Sequence, residues 1–192
     1  IAFVRGSIDK DKYQTKIKSL LSLADLVKNT LDTDNQIQSA CNSFVDAKGS
    51  MFLGRGSSFP IALEGALKLK ELAYIHAEGY PAGEMKHGPL ALIEDGMPVV
   101  VIAPRDYYYN KTISNMQEVI ARGAKVLLIT NKSTDEIFSE NIWQKIEVEN
   151  TDDDLLPFLI TIPLQKLAYH SALKKGYDID KPRNLAKSVT VE

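Results

Sequence analysis

The groups in this chain that could do chemistry are a lysine and a glutamate three apart, a histidine between charged and turn-forming residues, and a lysine close to the end. Lys68 and Glu71 stand in SFPIALEGALKLKELAY, whose apolar spacing predicts a helix from Ser58 to Tyr74 with Pro60 in its first turn. At about 100° per residue, Glu64, Lys68 and Glu71 share an arc of roughly 60°, and Lys70 projects away from it. An ammonium and a carboxylate so placed can hold or move a proton. They can also be an ordinary ion pair on a wet face. The helix carries few other charges and has small neighbours at Gly65, Ala66 and Ala73. It is therefore expected to be largely buried, and buried charges are rarely idle.

His87 follows in GEMKHGP, a Gly/Pro segment read as a loop, where an imidazole titrating near neutrality suits acid/base work. The plainer reading is a loop histidine with no task. Before the helix, Gly54-Arg55-Gly56-Ser57-Ser58 forms a turn whose backbone N–H groups and serine hydroxyls could hold a phosphate or a sugar. Ser57 or Ser58 could equally be the N-cap of the helix. The dinucleotide fingerprint is not met, because Phe59 stands where its third glycine belongs. His76 and Glu78 match the H-x-E of zinc deaminases, but the paired cysteines that mechanism needs are missing, Cys41 being the sole cysteine. No metal and no cofactor is expected. The tail, KPRNLAKSVTVE, is either a frayed end or a segment pinned by Leu185, Ala186, Val189 and Val191. In the second case Lys187 is an amine able to form a Schiff base with a carbonyl.

These residues need a scaffold, and the rest of the chain supplies one. Asp11–Asn29 has a helical stripe of Ile17, Leu20, Leu21, Leu23 and Ala24, and Asp34–Ala47 reads as a second amphipathic helix with Cys41 in its apolar face. Ser50–Gly54, Pro98–Ala103, Ala124–Thr130 and Ile142–Val148 read as buried strands. Lys111–Arg122 reads as a helix ending at Gly123, and Asp154–Lys175 as a longer one in which Pro157 and Pro163 fit a first-turn proline and a kink. Strand and helix in alternation predict an α/β fold, a doubly wound parallel sheet with helices on both faces, preceded by a helical segment. The expected division is 1–49 helical connection, 50–175 sheet domain and 176–192 tail.

With 192 residues, 44% hydrophobic and 25% charged, the chain can bury one ordinary core. A net charge of −2 gives no basic excess for nucleic acid or an anionic membrane, and no apolar run reaches the length of a membrane helix. One cysteine permits no internal disulfide, so a cytoplasmic setting is expected. The opening Ile-Ala-Phe-Val, without a starting Met, suggests a piece of a longer protein.

GRGSSFPIALEGALKLKELAYIHAEGYPAGEMKHGPLALI together with PRNLAKSVTVE resembles the C-terminal part of the glutamine–fructose-6-phosphate aminotransferase family. The likeness runs from Gly54 to Glu192 and covers the second of that family's two sugar isomerase (SIS) copies. It implies a SIS fold and a cytoplasmic homodimer that turns fructose 6-phosphate and glutamine-derived ammonia into glucosamine 6-phosphate. It further implies that His87 opens the sugar ring, in the neighbouring subunit's site, and that Lys187 forms a Schiff base at C2. Glu71 would move the proton between C1 and C2, Lys68 would assist at the sugar oxygens, and the backbone at Ala186 would touch the sugar. The family's glutaminase domain and first SIS copy, with its Ser/Thr-rich phosphate loop, are not in this sequence. The alternatives are a phosphosugar-binding SIS module without catalysis and a related SIS isomerase or deaminase.

Overall fold

A computed structural model of the chain describes residues 1–133 and 142–183. Three helices come first, α1 (Lys10–Leu31), α2 (Asp34–Ala40) and α3 (Asn42–Val45). Then β1 (Ser50–Gly54), α4 (Ser58–Ala73), β2 (Ala77–Pro81) and two short 3-10 helices (Ala82–His87 and Pro89–Leu92) follow. The chain continues as β3 (Pro98–Ile102), α5 (Tyr109–Ile120), β4 (Lys125–Asn131), β5 (Ile142–Val148) and α6 (Leu156–Lys174). The five strands form one parallel sheet in the order β2-β1-β3-β4-β5.

The sheet is covered on both sides because its central strands are apolar on both. Phe52, Val100, Ile102, Leu127 and Ile129 point into a core shared with α2, α4 and α6. Their neighbours Met51, Leu53, Val99, Val101, Val126 and Leu128 point the other way, onto α5 and the 3-10 segment. That alternation is the pleat of a strand buried on both faces. The predicted doubly wound sheet is therefore the observed one.

Three expectations need correction. The stretch between α4 and GEMKHGP, where the sequence pattern gives no strand, contains the edge strand β2, paired to β1 from Ser50↔Ala77 to Gly54↔Pro81. Gly79 sits there because a Cβ would come within 2.9 Å of Leu63, and proline is tolerated on an edge strand. The second helix is split at Cys41 into α2 and α3. On α1, Leu23, Leu26 and Val27 pack on the core, while Ile17, Leu20 and Leu21 are 39%, 53% and 77% exposed. The stripe lies one step further round than the sequence pattern suggests, since α1 meets the domain chiefly along α6.

Polar fastenings hold this helical layer in place. Lys16 reaches Asp152 at 3.0 Å and Asp154 at 2.5 Å. Buried His170 shares a hydrogen bond of 2.7 Å with Asp34, which Lys166 also contacts at 2.7 Å. The hydrogen bonds from His170 and then Lys166 hold the Asp34 carboxyl below its ordinary range.

Candidate functional site

α4 buries Ile61, Ala62, Gly65, Ala66, Leu69 and Ala73. Gly65 permits the close approach: a Cβ there would meet the Phe52 ring at 2.9 Å and Leu164 at 3.1 Å. Lys68 and Glu71 lie at the border of that buried stripe. Lys68 Nζ donates to Glu71 Oε2 at 2.6 Å and stands 3.8 Å from Glu64 Oε1. Their side chains are 30% and 27% exposed, so the pair is half-buried rather than enclosed. The hydrogen bond to Glu71 raises the Lys68 pKa above its usual value, outweighing the opposing effect of burial. Lys68 is thus a fixed cation and donor near neutrality, and Glu71 is the acceptor of the pair.

His87 ends the first 3-10 helix, where the sequence reading has a loop. Its platform is anchored from below. Met85 is fully buried, Lys86 pairs with Glu118 of α5 at 2.8 Å, and the Asn115 side-chain nitrogen donates to the Ala82 carbonyl at 3.2 Å. The following Gly88 has φ 143°, a conformation natural only to glycine. His87 itself is 74% exposed, and its nearest charged partner is Glu84 at 3.9 Å. No hydrogen bond or ion pair joins it to Lys68 or Glu71 among the described residues.

The turn before α4 lies at the carboxyl ends of β1 and β3, where the strand order reverses and α/β sheets commonly take ligands. The crevice there is about 230 Å³ and is lined by Ser57, Ser58, Asp106, Tyr107, Tyr108 and Asp153 among others. Ser57 occupies the N-cap position, but its side chain makes no capping hydrogen bond. Instead Ser58 N donates to Arg55 O and Phe59 N to Gly56 O, at 3.1 and 3.2 Å. The first helical amides are therefore engaged inside the turn. Gly56, at φ 56°, has the Tyr108 ring over it, where a Cβ would clash at 2.6 Å. The Arg55 guanidinium lies against that ring and against Gly83. With two carboxylates in the lining, this crevice is poorly suited to an anion.

Lys187 and Ala186 lie outside the described residues. The last residue described, Arg183, is stacked on Tyr74 at the end of α4, with its guanidinium carbon 4.1 Å from the ring centre. Sequence reasoning passed over Tyr74, although a helix that ends without Gly or Asn at its C-terminal cap is an available signal. Burial raises the Cys41 thiol pKa, in keeping with a core residue. Among the described residues no group of three His, Cys, Asp or Glu could hold a metal ion, and no helix is long and apolar enough to cross a membrane.

The model of the SIS domain matches residues 43–175. The chain belongs to the SIS domain family. Over 191 residues this SIS domain is 49% identical to the glutamine–fructose-6-phosphate aminotransferase (isomerizing) of Brucella abortus, covering 100% of this chain and 32% of the relative. It therefore spans about a third of the length of the curated relatives it matches. Among solved structures, the C-terminal domain of glucosamine–fructose-6-phosphate aminotransferase from Francisella tularensis superposes with a TM-score of 0.89 at 42% identity. That match covers 94% of this chain and 50% of the other. Glucosamine-6-phosphate deaminase from Thermotoga maritima superposes with a TM-score of 0.65 at 26% identity, covering 86% of this chain and 48% of the other.

Proposed function

We propose that this SIS domain is the C-terminal part of the isomerase domain of a glutamine–fructose-6-phosphate aminotransferase and supplies the proton-transfer groups for the sugar. The observation that carries the reading is the Lys68–Glu71 pair, joined at 2.6 Å and half-open to solvent on the flank of a buried helix. In this reading Lys187 Nζ adds to the C2 carbonyl of ring-opened fructose 6-phosphate, and water leaves to give the imine. Ammonia then displaces the lysine from C2. Glu71 takes a proton from C1 and returns it at C2, while the C1 hydroxyl gives up its proton and the imine nitrogen gains one, so that C1 becomes the aldehyde carbonyl and C2 carries the amine. Lys68, kept cationic by Glu71, stabilises the developing negative charge on the C1 oxygen. His87 faces outward on its anchored platform and would serve ring opening in a neighbouring subunit's site of a homodimer. The backbone at Ala186 would contact the sugar. Ser57 and Ser58 would add hydroxyls, the phosphate itself being held by a first SIS copy.

The test is E71Q at the full length of the relatives. Proton transfer by a positioned carboxylate is worth about 10²–10⁴-fold. Isomerisation should fall by that factor while fructose 6-phosphate binding stays within a few-fold. Retained isomerisation would assign the domain to phosphosugar binding without catalysis.

A further inference from the structure

Tyr74 is the only described non-glycine residue with positive φ, at 53°. It forms the C-terminal cap of α4, a place where glycine is the usual occupant because a Cβ is strained in the left-handed region. A bulky aromatic residue held in that conformation signals that its side chain has work that a glycine could not do. The work is visible. The Tyr74 hydroxyl accepts the backbone N–H of Arg183 at 2.7 Å. The Arg183 guanidinium carbon lies 4.1 Å above the Tyr74 ring and 5.9 Å from that of Tyr177. The two rings brace each other at 4.8 Å, tilted by 59°. Arg183 is thus held by a hydrogen bond to its backbone and by cation–π contact to its side chain.

The clamp stands one residue past the end of α4, three residues after Glu71. Lys187 lies four residues beyond Arg183 in the sequence, a tether of at most about 14 Å. We propose that Tyr74 and Tyr177 clamp Arg183 as a positioning device, which fixes the chain at Arg183 on the cap that follows Glu71 by three residues and so limits the reach of the Lys187 amine. This inference rests on the reading of Lys187 as the Schiff-base amine. A cap glycine would relieve the backbone and forfeit the clamp, so strain and function oppose each other at one residue.

That opposition makes the test. Y74G, Y74F and R183A are made at the full length of the relatives and compared with the parent in four ways. These are melting temperature, kcat and KM for fructose 6-phosphate, borohydride trapping of the imine on Lys187 by mass spectrometry, and trypsin cleavage after Lys187. The expected result is that Y74G melts no lower than the parent yet loses at least tenfold in kcat and in trapping, with KM little changed and cleavage faster. R183A should match it, and Y74F, which keeps the ring, should fall between. Parental trapping, kcat and cleavage in both Y74G and R183A would overturn the clamp. Should Y74G fail to fold, R183A decides, because Arg183 lies outside every helix and strand. If the parent traps no imine, the amine reading fails by itself. The clamp is then judged on cleavage: acceleration in Y74G and R183A upholds it, and unchanged cleavage overturns it.

Discussion

The two ends of α4 are built on opposite principles. The amino end sits at the reversal of the sheet, where backbone amides and a helix dipole would ordinarily receive an anion, yet its amides are bonded within the turn and Tyr108 lies across Gly56. The carboxyl half points away from the crevice, and there the charged pair is half-open and the cap is strained. The end that the fold class nominates for a ligand is thus closed by its own chain. The end that the fold class ignores holds the groups with chemistry in them. In the proposed reading a helix flank, not a helix dipole, is the better guide to the site.

The largest expected difference is in rate. If the two ends divide as described, E71Q lowers isomerisation by about 10²–10⁴-fold, whereas the double change S57A and S58A costs less than tenfold, chiefly in KM. Isothermal titration of fructose 6-phosphate into the chain of 192 residues should then show no tight binding, because remote phosphate contacts supply much of a substrate's positioning. Tight binding that S57A and S58A abolish would reverse the comparison and make the amino end the anchor.

A stability experiment comes next in size and concerns the amino end alone. A Cβ at Gly54 would lie 2.2 Å from the Ser58 carbonyl oxygen and 2.8 Å from Phe59 N, both of them backbone atoms. Neither can step aside without unwinding the first turn of α4. G54A should therefore destabilise the fold by about 2–4 kcal/mol, read from urea or thermal midpoints. A loss under about 0.5 kcal/mol would mean that the turn is soft and can open to a ligand.

How much of this contrast was legible in the sequence follows from where each signal comes from. β1, β3 and β4 are apolar runs, legible because burial on two faces leaves little choice of residue type. β5 has the predicted bounds but not the predicted burial, since as the other edge strand it buries only Ile146 and Val148 and carries Gln144, Lys145 and Glu147. β2 was not legible, because an edge strand with Gly79 and Pro81 has the composition of a loop and is defined by its partner. The Lys68–Glu71 pair was legible from helical period alone, being three residues apart. The closure of the turn by Tyr108 over Gly56 was not, since it joins residues 52 apart in the sequence that only the sheet brings together. The Tyr74 clamp is intermediate: the missing cap glycine is in the sequence, while its partner Arg183 lies 109 residues away.

The smallest expected effect is the one that separates a catalytic pair from a structural one. An i,i+3 ion pair on a helix contributes about 0.2–0.5 kcal/mol, and half-exposure keeps Lys68–Glu71 near that figure. K68M should thus move the melting midpoint very little at neutral pH. The sign of its pH dependence is fixed by the direction of the shift. The folded domain holds the Lys68 proton more tightly than the unfolded chain, because Glu71 accepts a hydrogen bond from it. The pair's contribution is accordingly complete below about pH 10.4 and is lost as the pH rises through the folded ammonium's titration. Parent and K68M should converge in stability there, and nowhere in the acid range on account of this lysine. If K68M instead loses 2 kcal/mol or more at pH 7, the pair is a structural fastening and the carboxyl half of α4 has no stronger claim to chemistry than the amino end. A few tenths of a kcal/mol beside a marked loss of isomerisation would leave catalysis as the reason for this pair at the border of a buried apolar stripe.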